Sequence, residues 1–225
     1  MKVGYVVLYE DGELVISKNH ILLQKKIKKD YGEFEDTAVP WKNKSSKIKK
    51  IHILNNVKSN CMKAWFENCM NLITLIDFEN LDVSDCSDFS FMFYNCNLLQ
   101  NLNGLQDLNV SNGTDFSNMF YDCKSLQNIN GLQNWNVSNG TNFSYMFTFC
   151  KSLENINGLQ NWNVSNGTNF SYMFTFCKSL ENILLPNTLS ILRKDIFFEC
   201  NTTLKIHWKN HTYTYDDLLE YEKIC

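Results

Sequence analysis

Six cysteines recur along the sequence and are the first residues whose type and spacing could do chemistry. The set is Cys69, Cys96, Cys123, Cys150, Cys177 and Cys200. Such thiols could form disulfides or ligate a metal ion. The sequence has no Cys-x-x-Cys pair, and cysteines on packed helices about 8–10 Å apart are too far from each other for a disulfide. We therefore interpret the six as small core residues and expect no metal and no cofactor.

The histidines do not define a catalytic site. His207 and His211 are four residues apart, but they fall in a predicted strand and turn with no third ligand, and His20 and His52 are isolated. No serine or cysteine stands near a histidine in a nucleophile motif, and no phosphate-binding glycine loop occurs. The sequence therefore predicts a protein that is not an enzyme and has no small-molecule substrate.

Lysines are concentrated near the start of the chain. Residues 1–60 carry 12 lysines against 7 acidic residues, whereas the remainder carries 9 basic against 17 acidic residues. Such a lysine-rich segment could contact phosphate or an acidic partner, although a solvated face is the more common explanation. The candidate contacts are Lys25, Lys26, Lys28, Lys29, Lys47, Lys49 and Lys50.

Aromatic residues form the second candidate surface. Tyr145 and Phe149 are four residues apart, Tyr172 and Phe176 repeat them 27 residues later, and Phe91 occupies an equivalent position earlier. Exposed aromatic side chains are frequent anchors of protein interfaces. Partial burial between successive helices is the alternative, and the sequence leaves both open.

The elements that position these residues follow from a 27-residue period. Residues 128–156 are repeated without change at 155–183. A period of this length is typical of a solenoid, in which each copy buries its apolar face against its neighbours. Within one copy, the apolar residues at 143, 146, 147 and 150 predict a short helix, and the alternation over 153–159 predicts a short strand.

At this point the sequence resembles a known family. Residues 135–147 read WNVSNGTNFSYMF and are followed by Cys150-Lys151-Ser152-Leu153, a pattern similar to the repeat of BspA-like leucine-rich repeat proteins. The resemblance covers about residues 53–205 and is strongest over 81–183. It departs from the family pattern at Gly113, Gly140 and Gly167, where valine is usual. The resemblance implies bacterial surface adhesion or host-protein binding.

Together these patterns predict an α/β solenoid, a curved leucine-rich repeat of about six rungs, each with a short helix and a short parallel strand. A lysine-rich cap with a β-hairpin at Asp11-Gly12 would cover residues 1–52, the solenoid 53–205, and a strand and helix cap 206–225, with the helix running from Tyr215 to Ile224. The strands would line a concave, polar face that presents Gln127, Asn130, Glu154, Asn157 and Glu181.

The function predicted from these features is that of a non-catalytic module that binds another protein, with a ribonucleoprotein as one form of partner. We expect an intracellular inhibitor that occludes its partner's working surface. The ratio of 20 lysines to one arginine indicates an AT-rich coding genome. A short repeat protein from such a genome could come from a phage or other mobile element, with a host defence nuclease such as a CRISPR effector as one conceivable target. A bacterial surface adhesin is the first alternative, and RNA contact through the lysine-rich cap is the second.

The predicted location is the cytoplasm. No apolar segment reaches the roughly 18 residues of a membrane span, and the first residues lack the apolar core and cleavage site of a signal peptide. A surface location would apply if an export signal precedes this sequence.

Overall fold

Small β-sheets make up most of the regular structure, and a computed structural model describes residues 2–220. The strands of this range are β1 (Lys2–Tyr9), β2 (Glu13–Ser17), β3 (Ile27–Glu35), β4 (Lys50–Leu54), β5 (Val57–Lys58), β6 (Thr74–Ile76), β7 (Leu81–Asp82), β8 (Asn182–Leu184), β9 (Lys205–Trp208) and β10 (His211–Thr214). Its helices are four short 3-10 helices, at Lys42–Lys47, Phe78–Asn80, Leu159–Asn161 and Lys194–Phe197, and one α-helix, α1 (Tyr215–Glu220).

The N-terminal part is a five-stranded mixed sheet with the order β3-β1-β2-β4-β6. The predicted hairpin is present, because β1 and β2 pair antiparallel on either side of a turn in which Gly12 has a φ of 89°. The predicted strand before position 55 is present as β4, which pairs parallel with both β2 and β6. Trp41 and Trp65 are buried together, and the Trp41 indole donates to the Trp65 carbonyl at 2.7 Å.

The C-terminal end is a three-stranded sheet in which β8 pairs parallel with β9, and β9 pairs antiparallel with β10. The predicted strand after position 203 is β9, and the predicted terminal helix begins at Tyr215 as α1. The remainder of that predicted helix, up to Ile224, lies outside the described residues.

Between these two sheets, each repeat is a series of tight turns. Tyr145 and Phe149 have φ angles of 59° and 63°, which is the left-handed region. Amide groups at alternate positions donate to the next repeat: Phe143 N–H to the Asn169 carbonyl at 2.8 Å, and Tyr145 N–H to the Ser171 carbonyl at 3.0 Å. The intervening amides close turns within the repeat, as Met146 N–H does onto the Phe143 carbonyl at 3.3 Å. Neighbouring repeats are thus joined through their backbones.

The prediction of a curved α/β solenoid with about six helix-and-strand rungs, taken as a leucine-rich repeat, is wrong. A residue with left-handed φ cannot continue an α-helix, and two of them interrupt the predicted helix at 143–150. The predicted strand at 153–159 is reduced to the single bridge between Asn128 and Asn155, followed by the 3-10 helix at Leu159–Asn161. The regular architecture is one of small mixed sheets. The curvature was predicted because packed helices need more space than paired strands, and this reason does not apply to repeats built from turns.

The buried positions that suggested a helix belong to stacks of aromatic rings instead. The rings of Phe93, Phe120, Phe147, Phe174 and Phe197 lie nearly parallel, with centroids 5.4–5.6 Å apart from one repeat to the next. Each of these side chains is buried. A series of turns therefore gives the same spacing of buried residues as one face of a helix, and this is why the pattern misled.

The six laddered cysteines are buried in the same core. From Cys96 to Cys200, each thiol donates to a backbone carbonyl of the preceding repeat, as Cys123 Sγ does to the Phe93 carbonyl at 3.3 Å. Burial raises the pKa of all six thiols, to about 12 for Cys200 and well above the ordinary value for Cys96, Cys150 and Cys177. These thiols are core groups in their neutral form.

Substitutions at Asn118, which has a φ of 57°, test the turn structure directly. We expect Asn118→Gly to leave the free energy of unfolding within about 0.5 kcal/mol, because glycine adopts this backbone freely. Asn118→Val should lower it by about 1–2 kcal/mol. Denaturant titration measures both. In a helix, valine and asparagine have similar propensities, so Asn118→Val would instead change the free energy of unfolding by less than about 0.5 kcal/mol.

The buried thiols make stability depend on alkaline pH. An unfolded thiol ionises near pH 8.5, whereas the folded chain holds these groups neutral, so their stabilising contribution is complete below about pH 8.5. Above it, we expect a loss of about 1.4 kcal/mol per thiol and pH unit. Denaturant titrations between about pH 7 and pH 10 measure this slope, with Cys123→Ala as the control that should reduce it. A free energy of unfolding that does not change with pH over this range would contradict the burial of these thiols in their neutral form.

Candidate functional site

Eight aromatic side chains along the repeats form two sets of ring contacts, a series of six and a separate stacked pair, which we together call the aromatic ladder. Its members are Phe91, Tyr94, Tyr121, Tyr145, Phe149, Tyr172, Phe176 and Phe198. Tyr145 and Tyr172 are each 37% exposed and Phe198 is 45% exposed, while the others are half-buried. The structure thus brings the four aromatic residues of the identical repeats together as two stacked pairs, and Phe91 is connected to the phenylalanine pair through Tyr94 and Tyr121.

The rings of the ladder stack on one another. Phe149 and Phe176 have centroids 4.6 Å apart with planes 12° from parallel, and Tyr145 and Tyr172 lie 5.2 Å apart at 18°. Phe198 ends the series with its ring edge-on to Phe176 at 6.3 Å. Within each pair, stacking covers the ring faces that are turned towards each other, and the ring edges carry the positive end of the aromatic quadrupole.

Five of these residues occupy backbone positions that aromatic residues avoid. Each repeat has two left-handed positions, and equivalent positions align into two columns. The first column contains Ala64, Phe91, Asn118, Tyr145 and Tyr172, and the second contains Asn68, Asn95, Asp122, Phe149, Phe176 and Glu199. Asparagine and aspartate tolerate this conformation, whereas a bulky residue there costs about 1–2 kcal/mol. The two identical repeats therefore carry aromatic side chains against a local backbone preference.

Strained, exposed residues of this kind cluster at functional sites. The core does not require these rings, because Asn118 and Asp122 fill the equivalent corners one repeat earlier with the same backbone angles. Neighbouring groups also affect the ladder's electrostatics. Desolvation, followed by the Tyr94 phenol and the Asp122 carboxylate, raises the pKa of Tyr121.

The five residues predicted to line a concave face are all exposed. Glu154, Asn157 and Glu181 line an open depression together with Lys178. The Glu154 N–H donates to the Gln127 carbonyl of the preceding repeat at 2.9 Å. This face is polar, and it lacks the regular strands that the prediction gave it.

All seven candidate lysines are exposed, but the hairpin's own acidic residues neutralise two of them. Lys25 bonds Asp11 at 2.9 Å and also pairs with Glu13, and Lys26 lies 3.1 Å from Glu10. Within residues 2–220, Lys28, Lys29, Lys47, Lys49 and Lys50 form no ion pair. The positive surface is therefore smaller than the lysine number suggests.

The histidines lie in separate places. His52 is held between carboxylates, with Nδ1 2.9 Å from Glu13 and Nε2 2.9 Å from Asp77. His20 pairs with Asp30 at 2.8 Å on the exposed edge of the N-terminal sheet. Among residues 2–220 there is no group of three side chains placed to hold a metal ion.

Comparison with known proteins places the repeats in a family. Residues 60–188 match the family described as Mycoplasma protein of unknown function, DUF285. Because the match covers more than half of the chain, the chain belongs to this family. The match supports in broad terms the BspA-related repeat family that the sequence motif resembles. The curated proteins include no match to the chain.

The helices of residues 2–220 are all short, and none has the length and apolar character needed to cross a membrane. This finding applies to α1 and to the 3-10 helices alike.

Sequence reasoning missed three members of the ladder. Tyr94 and Tyr121 are themselves 27 residues apart, so the period contained the signal. Phe198 is not at an equivalent position, because Glu199 follows Phe176 by the 23 residues of the shorter last repeat. The place of Phe198 in the ladder therefore depends on tertiary packing.

The fold should tolerate asparagine in place of the exposed tyrosines. In the double variant Tyr145→Asn/Tyr172→Asn, relief of about 1–2 kcal/mol of backbone strain per residue opposes the loss of about 0.5–1.5 kcal/mol of ring stacking. We therefore expect the free energy of unfolding to change by less than about 2 kcal/mol.

Denaturant titration measures this change. Phe120→Ala, which removes a buried ring, serves as the control and should cost about 3–5 kcal/mol. A comparable loss from the tyrosine variant would mean that these tyrosines serve the fold and not a binding surface.

Proposed function

We propose that this chain is a non-catalytic protein-binding module that engages its partner through the aromatic ladder. The single observation that carries this proposal is the placement of Tyr145, Phe149, Tyr172 and Phe176 at left-handed backbone positions. The preceding repeat fills the equivalent positions with residues that suit the backbone. An outward-facing side chain retained at such a cost has its use outside the fold.

The geometry of the rings supports a protein as the partner. Clustered aromatic residues with partial exposure are typical anchors at the centre of protein interfaces. The stacked pairs lose little side-chain entropy on binding, because each ring already holds its neighbour in place. The ladder is therefore preorganised for a partner that brings apolar groups to the ring edges.

A preorganised surface of this kind supports inhibition by occlusion, in which the module covers its partner's working surface. The eight cysteines among residues 2–220 are free thiols, which suits a reducing compartment. We propose a cytoplasmic location, which these thiols support.

The proposal is tested by affinity capture from a lysate of the cell in which the gene resides, followed by mass spectrometry. The ladder variant changes Tyr145, Phe149, Tyr172 and Phe176 to asparagine. The control variant changes Gln127, Asn130, Glu154 and Asn157 to alanine, on the polar face. Circular dichroism first establishes that both variants fold.

We expect the partner captured by the wild-type chain to bind the ladder variant at least about tenfold more weakly, because anchors of this type cost about 2 kcal/mol or more when removed. The polar-face variant should retain the partner. If the ladder variant binds as the wild type does, or if only the polar-face variant loses the partner, the proposal fails.

A further inference from the structure

A column of three lysines runs beside the aromatic ladder. Lys124, Lys151 and Lys178 are 27 residues apart, and each follows the second left-handed position of its repeat by two residues. The first and last are paired: Lys124 lies 3.1 Å from Asp122, and Lys178 lies 3.0 Å from Glu199.

Lys151 differs from its two neighbours in the column. Within the part of the chain that the structure describes, its ammonium group forms no ion pair and no side-chain hydrogen bond. The reason lies in the sequence, because Phe149 stands where the preceding repeat has Asp122. The replacement that extended the ladder also removed the partner of this lysine.

The backbone of Lys151 is bonded to a residue of the ladder. The Lys151 amide donates to the Phe149 carbonyl at 2.8 Å, and Phe149 stacks on Phe176. Lys178 shows what such a lysine contacts, since its ammonium lies 5.4 Å from the centre of the Phe176 ring. A partner covering the ladder would therefore also cover Lys151.

We propose that the partner of the ladder presents a carboxylate, from aspartate or glutamate, flanked by apolar side chains. An ammonium group that loses its water without gaining an opposite charge would oppose binding. The ring edges around it carry positive partial charge and favour the same carboxylate. This inference rests on the proposed function, to which it adds the chemistry of the partner.

A single-stranded nucleic acid fits the surface less well. Bases bind aromatic side chains by stacking on an open ring face, whereas the faces of Phe149 and Phe176 are turned towards each other. An acidic, apolar protein segment is therefore the occupant that the geometry favours.

The probe is a random peptide library displayed on phage, selected on the full-length chain, with the ladder variant used to remove peptides that bind elsewhere. We expect the remaining peptides to combine aspartate or glutamate with aromatic or leucine residues. One such peptide is then synthesised, and its affinity is measured by fluorescence anisotropy.

Lys151→Gln should weaken binding of this peptide by about tenfold, and Lys151→Glu should weaken it further. Lys44→Gln is the matched control, since Lys44 is exposed and forms no ion pair among residues 2–220; we expect less than about a twofold change. Lys151→Glu should regain affinity for a peptide in which lysine replaces the acidic residue.

The outcomes separate the two proposals. If the ladder-dependent peptides lack acidic residues, or if Lys151→Gln binds them as the wild type does, this inference is overturned while the ladder remains a protein-binding surface. If every peptide binds the ladder variant equally well, the proposed function itself fails. Tighter binding of a labelled single-stranded oligonucleotide than of any selected peptide, lost in Lys151→Glu, would overturn the choice of a protein partner.

Discussion

Backbone hydrogen bonds between neighbouring repeats are the interaction on which the rest of this structure depends. Amides at alternate positions donate to the next repeat, as Phe147 N–H does to the Met173 carbonyl at 2.9 Å, and those between them close turns within their own repeat. This arrangement needs a left-handed residue at two corners of each repeat. With those corners in place, a buried ring such as Phe120 stacks on its counterpart Phe147, and a buried thiol such as that of Cys150 reaches a carbonyl of the preceding repeat. Stacking thus follows from the backbone.

The same corners decide what the surface looks like. A left-handed residue at a turn directs its side chain away from the core, so each corner is a position whose chemistry can change without disturbing the stack. Asn118 and Asp122 fill two of them with residues that suit the backbone, whereas Tyr145 and Phe149 replace these residues one repeat later. The exchange of Asp122 for Phe149 creates aromatic surface and leaves Lys151 unpaired in the same step. One change in the repeat thus produces both features of the proposed binding surface.

The sequence predicted much of the packing but not the path of the backbone. Its period identified Phe143, Phe147 and Cys150 as core residues, and all three are buried. The turn chemistry at Asp11-Gly12 predicted the hairpin. The prediction of helices in the repeats failed because consecutive turns and a helix bury the same positions. The sequence signal that distinguishes turns from a helix was weak. Asparagine at 95 and 118 favours left-handed backbone, but aromatic residues take the equivalent positions at 145 and 149 in the strongest repeats. The aromatic residues were therefore found as a patch, but their backbone strain was not.

The most direct test of this account is a measurement of scalar couplings across hydrogen bonds by nuclear magnetic resonance. The repeat at 89–96 is suitable, because its sequence differs from those of its neighbours. The hydrogen bonds between repeats predict a coupling from the Phe91 amide nitrogen to the Ser117 carbonyl carbon, and another from the Phe93 amide nitrogen to the Met119 carbonyl carbon. Couplings from Phe93 to Phe89 instead, four residues back along the chain, would show a helix and contradict the account.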